Sequence, residues 1–153
     1  MLFAQGALFA SANNSKTLVR LRDTDNDDFF DEVKKLRQLE GGVGHGRNDI
    51  TLGPDGKIYW ICGDSVRIPR SQVTDHTAPT REHRQGKGTS EGFVIRTDTD
   101  GKDWDVLAGG LRNPYGIAFN RHGDFFTYDA DAEFDMGSPW YRPTRVVHVV
   151  PGA

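Results

Sequence analysis

Cysteine is nearly absent. Cys62 is the single one in 153 residues, which leaves no intramolecular disulfide, no multi-thiolate metal site and no CxxCH haem-attachment motif in the chain. The lone thiol reads as a small buried hydrophobe. Long apolar runs are also missing: none approaches the roughly 20 residues that cross a bilayer, so no membrane-spanning segment is predicted. The opening MLFAQGALFASA has no basic stretch before it, and Gln5 and Gly6 interrupt its apolar residues, so it reads as a strand and not as a leader. No excess of one charge exists. The 19 Lys and Arg stand against 22 Asp and Glu for a net charge of -3, and without a basic stripe to displace phosphate counterions, nucleic acid is not expected as a partner. Helical periodicity is scarce as well, with Asp31 to Leu39 as the one helical candidate.

What the chain has in quantity is punctuation. Its 18 glycines and 7 prolines break it about every ten residues, the spacing of antiparallel meanders. Hydrophobic residues make up 36% and aromatics 10%, gathered in short bursts that disordered chains lack. The chain also repeats itself. GHGRNDITLGPDGKIYWICGD from Gly44 matches GLRNPYGIAFNRHGDFFTYDAD from Gly110, with Arg-Asn, a strand, a glycine turn and an aromatic strand in each. The turn glycines Gly56 and Gly123 hold the same place in the two copies, Ile58 matches Phe125, and Leu8 in ALFASANN belongs to an earlier copy. A second element, LVRLRDTDND from Leu18, returns as FVIRTDTDG from Phe93 and as RVVHVVPG from Arg145. Strand, turn, strand, acidic turn, strand and a Gly-rich crossing such as Glu40-Gly41-Gly42 spell a four-stranded propeller blade.

The expected fold class is therefore all-β, a β-propeller. About three blades of about 45 residues fit the length, whereas closed rings take about 4 to 8. Residues 1–153 are expected to form a partial ring of a six-bladed parent, its remaining blades supplied by the parent protein or replaced by self-association through open edges and faces. The polar stretch at about 67–92 reads as a long surface loop.

GHGRNDITLGPDGKIYWICGD followed by GLRNPYGIAF resembles the six-bladed soluble aldose and glucose dehydrogenases, whose quinoprotein members use pyrroloquinoline quinone (PQQ) and calcium. The segment from Glu91 to Ala153, with its GLRNPYG and PWYRPTR strings, is similar to the propeller of the large membrane-bound dehydrogenase and haem-binding proteins of planctomycetes and their relatives. That resemblance implies a periplasmic or exported protein oxidising a small sugar or alcohol. The haem segment of that family has no counterpart here.

The resemblance places His45, ahead of the Gly-Pro-Asp turn at Gly53, where the quinoproteins carry their general base. An imidazole titrating near 6.5 suits proton transfer from a sugar hydroxyl. Arg112 and Asn113 match the Arg-Asn pair that contacts the quinone there; a guanidinium fork can bind a carboxylate or carbonyl and stabilise developing negative charge. The same dipeptide at Arg47-Asn48 keeps open a purely architectural role. Asp129 and Asp131 fall on the loop that helps hold the cofactor's calcium in the quinoproteins, where this chain has Asp131-Ala132 in place of a Gly-Pro step. Trp140 and Tyr141 follow as stacking platforms or as blade packing. From residues alone, Asp23, Asp25, Asp27 and Asp31 have the DxDxDxxxD spacing of a calcium loop. Asp28 stands where such loops place glycine. So dense a run of aspartates either binds calcium or forms a solvated, self-repelling turn. A second function class stays open beside the enzyme: a propeller scaffold that binds glycans or partner proteins.

Overall fold

The structure is a computed structural model describing residues 1–68, 91–130 and 144–152. The opening segment is a hairpin, β1 (Leu2–Ala4) and β2 (Ala7–Ala12), reversed by Gln5 and Gly6 with φ of 50° and 70°. Two successive positive φ values match the twist of the flanking strands. The hairpin continues into β3 (Thr17–Arg22) and β4 (Glu32–Gln38), giving a four-stranded antiparallel sheet in the order β1-β2-β3-β4.

The segment Asp31 to Leu39 is thus a strand and not the expected helix. Lys, Arg, Gln and Leu favour helices intrinsically. Here the main chain pairs with β3 from Arg22↔Glu32 to Thr17↔Gln38, Leu36 enters the core and the Arg37 guanidinium covers the Trp104 ring at 4.9 Å. Tertiary pairing overrides the local preference.

The short strands β5 (Glu40–Gly41) and β8 (Val66–Arg67) pair with each other. The second large sheet is built from β6 (Arg47–Leu52), β7 (Ile58–Cys62), β9 (Gly92–Thr97) and β10 (Trp104–Leu111), again an antiparallel meander. The third holds β11 (Asn113–Phe119), β12 (Phe125–Ala130) and β13 (Arg145–Val149). The repeated LVRLR, FVIRT and RVVHV strings are the third strands of the three sheets. The expected loop at 67–92 begins at the end of β8 and stops where β9 begins, and its residues 69–90 lie outside the described residues.

The sheets stack face to face, with β6 in contact with both β1 and β11. Phe9 and Leu18 of the first sheet pack on Trp60, Cys62, Phe93 and Ile95 of the second. Tyr59, Ile61 and Val94, on the opposite face of that second sheet, pack on Phe125 and Val149 of the third. The inner strands β7 and β9 are thus apolar on both faces, which explains the continuous IYWIC run. Burial in the first interface pushes the Cys62 thiol up to about 12, partly offset by the nearby Arg47 charge, consistent with an inert buried residue.

Candidate functional site

The strand register fixes which residues of the second and third sheets are equivalent. Ile50 pairs with Trp60 and Arg47 with Cys62; in the third sheet, Ile117 pairs with Thr127 and Pro114 with Asp129. Each ladder contains one register shift, between Arg47 and Asp49 in the second sheet and, one rung nearer the turn, between Tyr115 and Ile117 in the third, so beyond both shifts the two ladders are in step again. Arg47 is therefore equivalent to Pro114, and the two Arg-Asn pairs are out of step. The residue equivalent to Arg112 is His45.

Both stand just before the first strand of a sheet, at the same end of the molecule. His45 is clamped by the loop after β7. Its carbonyl accepts from Ser65 N at 3.2 Å, the Gly46 carbonyl accepts from Gly63 N at 2.7 Å, and its own N–H donates to Ser65 Oγ at 3.2 Å. Gly63 permits this approach, because a Cβ there would sit 2.6 Å from the His45 carbonyl oxygen. The imidazole Nδ1 lies 2.7 Å from Asp64 Oδ1, each side chain 26% exposed. A carboxylate at that distance holds a proton on Nδ1 and leaves Nε2 as a lone-pair base. Sequence inspection missed Asp64, although hairpin geometry reveals it: Arg47 and Cys62 pair at the hairpin's open end, so the residues next outward on the same side, His45 and Asp64, must face each other.

Asp64 also joins the two sheets, its N–H donating to the Arg112 carbonyl at 2.7 Å. The loop that carries Arg112 is then fixed from below. Asp129 is completely buried and accepts the N–H groups of Arg112 at 3.2 Å and of Asn113 at 2.9 Å, with the Arg145 guanidinium 3.5 Å away. This carboxylate anchors the Arg112-Asn113 backbone and presents no oxygen to solvent. Asn48 reaches across from β6, its Nδ2 2.9 Å from Asn113 Oδ1 and 2.5 Å from the Pro114 carbonyl oxygen, and Asp49 Oδ2 accepts Ile117 N–H at 3.1 Å. Arg47, by contrast, is buried. It donates to the carbonyls of Leu39, of Glu40 at 3.1 Å and of Gly42 at 3.2 Å, so it serves architecture alone.

The structure does not bring the acidic loop of the first sheet into this site. Carboxylate oxygens of Asp23, Asp25 and Asp27 come within 4.8 Å of one another. Asp31 is engaged elsewhere, accepting from Thr24 N–H at 2.8 Å and from the Thr24 hydroxyl, and these bonds hold its carboxyl below the usual carboxylate range. Asp23 Oδ1 accepts Asn26 N–H at 2.7 Å and Oδ2 accepts Asp28 N–H at 3.0 Å. Asp28 adopts φ of 70°, the left-handed geometry expected at that position. Asp131, Trp140 and Tyr141 lie outside the described residues.

Comparison with known proteins adds the class. Quinoprotein glucose dehydrogenase B of Acinetobacter calcoaceticus is 33% identical over 109 residues, 60% of this chain and 23% of that protein. The PQQ-bound aldose sugar dehydrogenase from Streptomyces coelicolor superposes with a TM-score of 0.59 at 18% identity, over 89% of this chain and 38% of the other. A second solved structure, a glucose dehydrogenase, gives 0.59 at 15% identity over 95% and 42%. The chain thus spans under half the length of each. It is a β-propeller chain homologous to quinoprotein glucose dehydrogenase. By its match over residues 1–144, it belongs to the family described as Domain of unknown function (DUF7133).

Proposed function

We propose that this chain is the part of a sugar or alcohol dehydrogenase propeller that supplies the general base and the quinone-binding arginine. The observation that carries this reading is the carboxylate-backed imidazole of His45 at the position equivalent to Arg112 one blade on. The side chains described fit a PQQ site. They are a cation at Arg112, a carboxamide at Asn113 whose Nδ2 has no partner among the described residues, and an imidazole with Nε2 open. Bound there, PQQ would supply the hydride acceptor, which no side chain of the protein can be.

The protein's own residues do the rest. Nε2 of His45 takes the proton of the substrate hydroxyl, and Asp64 holds the ring and stabilises the imidazolium that forms. Arg112 would help hold the quinone, its guanidinium being suited to carboxylate or carbonyl oxygens. Asp129 acts beneath the loop by holding the Arg112 and Asn113 backbone. Asp23, Asp25 and Asp27 form a separate calcium-binding turn that stiffens the first sheet. By its resemblance to the large dehydrogenase and haem-binding proteins, the protein is exported.

Further blades complete the site. Tyr59, Ile61 and Val94 are packed against the third sheet, and their equivalents Phe126, Tyr128 and Val146 remain apolar with Tyr128 and Val146 exposed. Without those blades the chain is inactive. The scaffold reading is favoured by one observation, the Asp131-Ala132 step in place of Gly-Pro. PQQ titrated with Ca²⁺ into the full-length protein separates the two. The enzyme reading expects a shift of the quinone absorbance and an affinity at least about tenfold lower for Arg112→Ala, the value of one charged hydrogen bond. A quinone spectrum unchanged on mixing would leave the scaffold.

A further inference from the structure

One carboxamide near the proposed quinone site has its orientation fixed by an unambiguous neighbour. The Pro114 carbonyl oxygen can only accept, so the Asn48 atom 2.5 Å from it is the donor Nδ2. That same Nδ2 lies 2.9 Å from the Asn113 side chain, and a donor there demands the acceptor Oδ1. The Asn113 amide therefore has one allowed orientation, with Oδ1 toward Asn48 and the two N–H donors of Nδ2 turned away. Its backbone is fixed independently by the bond from Asn113 N–H to Asp129 Oδ1 at 2.9 Å. Asn48 is the residue that the register shift in β6 leaves unpaired, whereas the third sheet pairs Asn113, Pro114 and Tyr115 in unbroken register, so the sheet ladder itself does not require it.

We propose that Asn48 is a positioning residue that acts through Asn113. It holds the carboxamide with its donors presented for acceptor oxygens, the carbonyl or carboxylate of a quinone, and against a ligand that offers hydrogen-bond donors there. This rests on the reading of the site as a PQQ site. Without Asn48 the amide is free to turn over and meet the quinone oxygen with Oδ1, acceptor against acceptor.

The test is a PQQ affinity cycle on the full-length protein, read by quinone absorbance, with wild type, Asn48→Ala, Asn113→Ala and the double variant, each checked for an unchanged thermal midpoint. Each single replacement is expected to weaken PQQ about tenfold, the order of one neutral hydrogen bond. The double variant should bind no more weakly than Asn113→Ala. Asn48→Asp, which puts an acceptor where the donor stood and turns the Asn113 amide over, should weaken PQQ at least as much as Asn48→Ala; it also carries the test should the alanine variant not fold. Losses that multiply in the double variant, or an Asn48→Asp protein that binds as wild type does, would overturn the positioning role while leaving the quinone site standing. A wild-type protein that does not bind PQQ overturns both.

Discussion

Replacing Asp64 with asparagine keeps the shape of the dyad and removes its charge. In the native arrangement the carboxylate lies 2.7 Å from His45 Nδ1 and so holds the proton on that nitrogen, with Nε2 ready to accept. An asparagine can offer its Nδ2 instead, which places a donor against Nδ1 and moves the ring proton to Nε2, where it blocks the base. A positioned general base is worth about 10²- to 10⁴-fold in rate, and the wrong tautomer forfeits most of that. The expected result is a fall of this size in dye-coupled turnover of the full-length protein at saturating PQQ. PQQ affinity, measured separately by absorbance, should change less than about twofold, because Asp64 touches only the imidazole and, through its own backbone, the Arg112 carbonyl. Asp64→Asn turnover within about threefold of wild type would refute the role of the dyad, since no general base of ordinary efficiency contributes so little.

Asp129→Ala orphans two buried N–H groups and removes the carboxylate beside Arg145. It should lower stability by about 3–5 kcal/mol in urea denaturation, and a loss under about 1 kcal/mol would show that water replaces the carboxylate. The buried Cys62 thiol gives a pH signature. Its folded value of about 12 lies above the unfolded value near 8.5, so the unfolded chain loses that proton first and stability declines as pH rises from about 9 towards 12. Below about pH 8 the contribution is fully present and constant. Cys62→Ala should flatten the decline in denaturant midpoint across that range, and a slope that persists unchanged would assign it to other groups.

The repeat was the most legible feature of the sequence because the glycine turns at Gly56 and Gly123, set in matching surroundings, mark hairpins that must be built alike. It located the second and third sheets and the three third strands. Two readings failed for physical reasons. The Arg-Asn dipeptides at Arg47 and Arg112 look equivalent by identity, but the register makes Arg47 the counterpart of Pro114, and buried Arg47 contacts carbonyls of the preceding segment. The β4 strand looked helical because its long polar side chains tolerate a helix, while the choice was made by the open edge of β3. The His45–Asp64 contact was invisible as a motif, because the two residues sit on opposite arms of a hairpin, yet it follows from strand pairing once Arg47 is set against Cys62. Asp129 stands at the position of Cys62, and nothing in the sequence told that one buried carboxylate would take the N–H groups of the arginine loop.

The most direct measurement is sugar- and alcohol-dependent dye reduction by the full-length protein supplied with PQQ and Ca²⁺, compared between wild type and His45→Ala. Turnover is expected to require PQQ and to collapse in His45→Ala, while the variant still binds PQQ with wild-type affinity. Turnover that survives the loss of the imidazole, or a PQQ-loaded wild type that oxidises none of the substrates, would contradict that expectation.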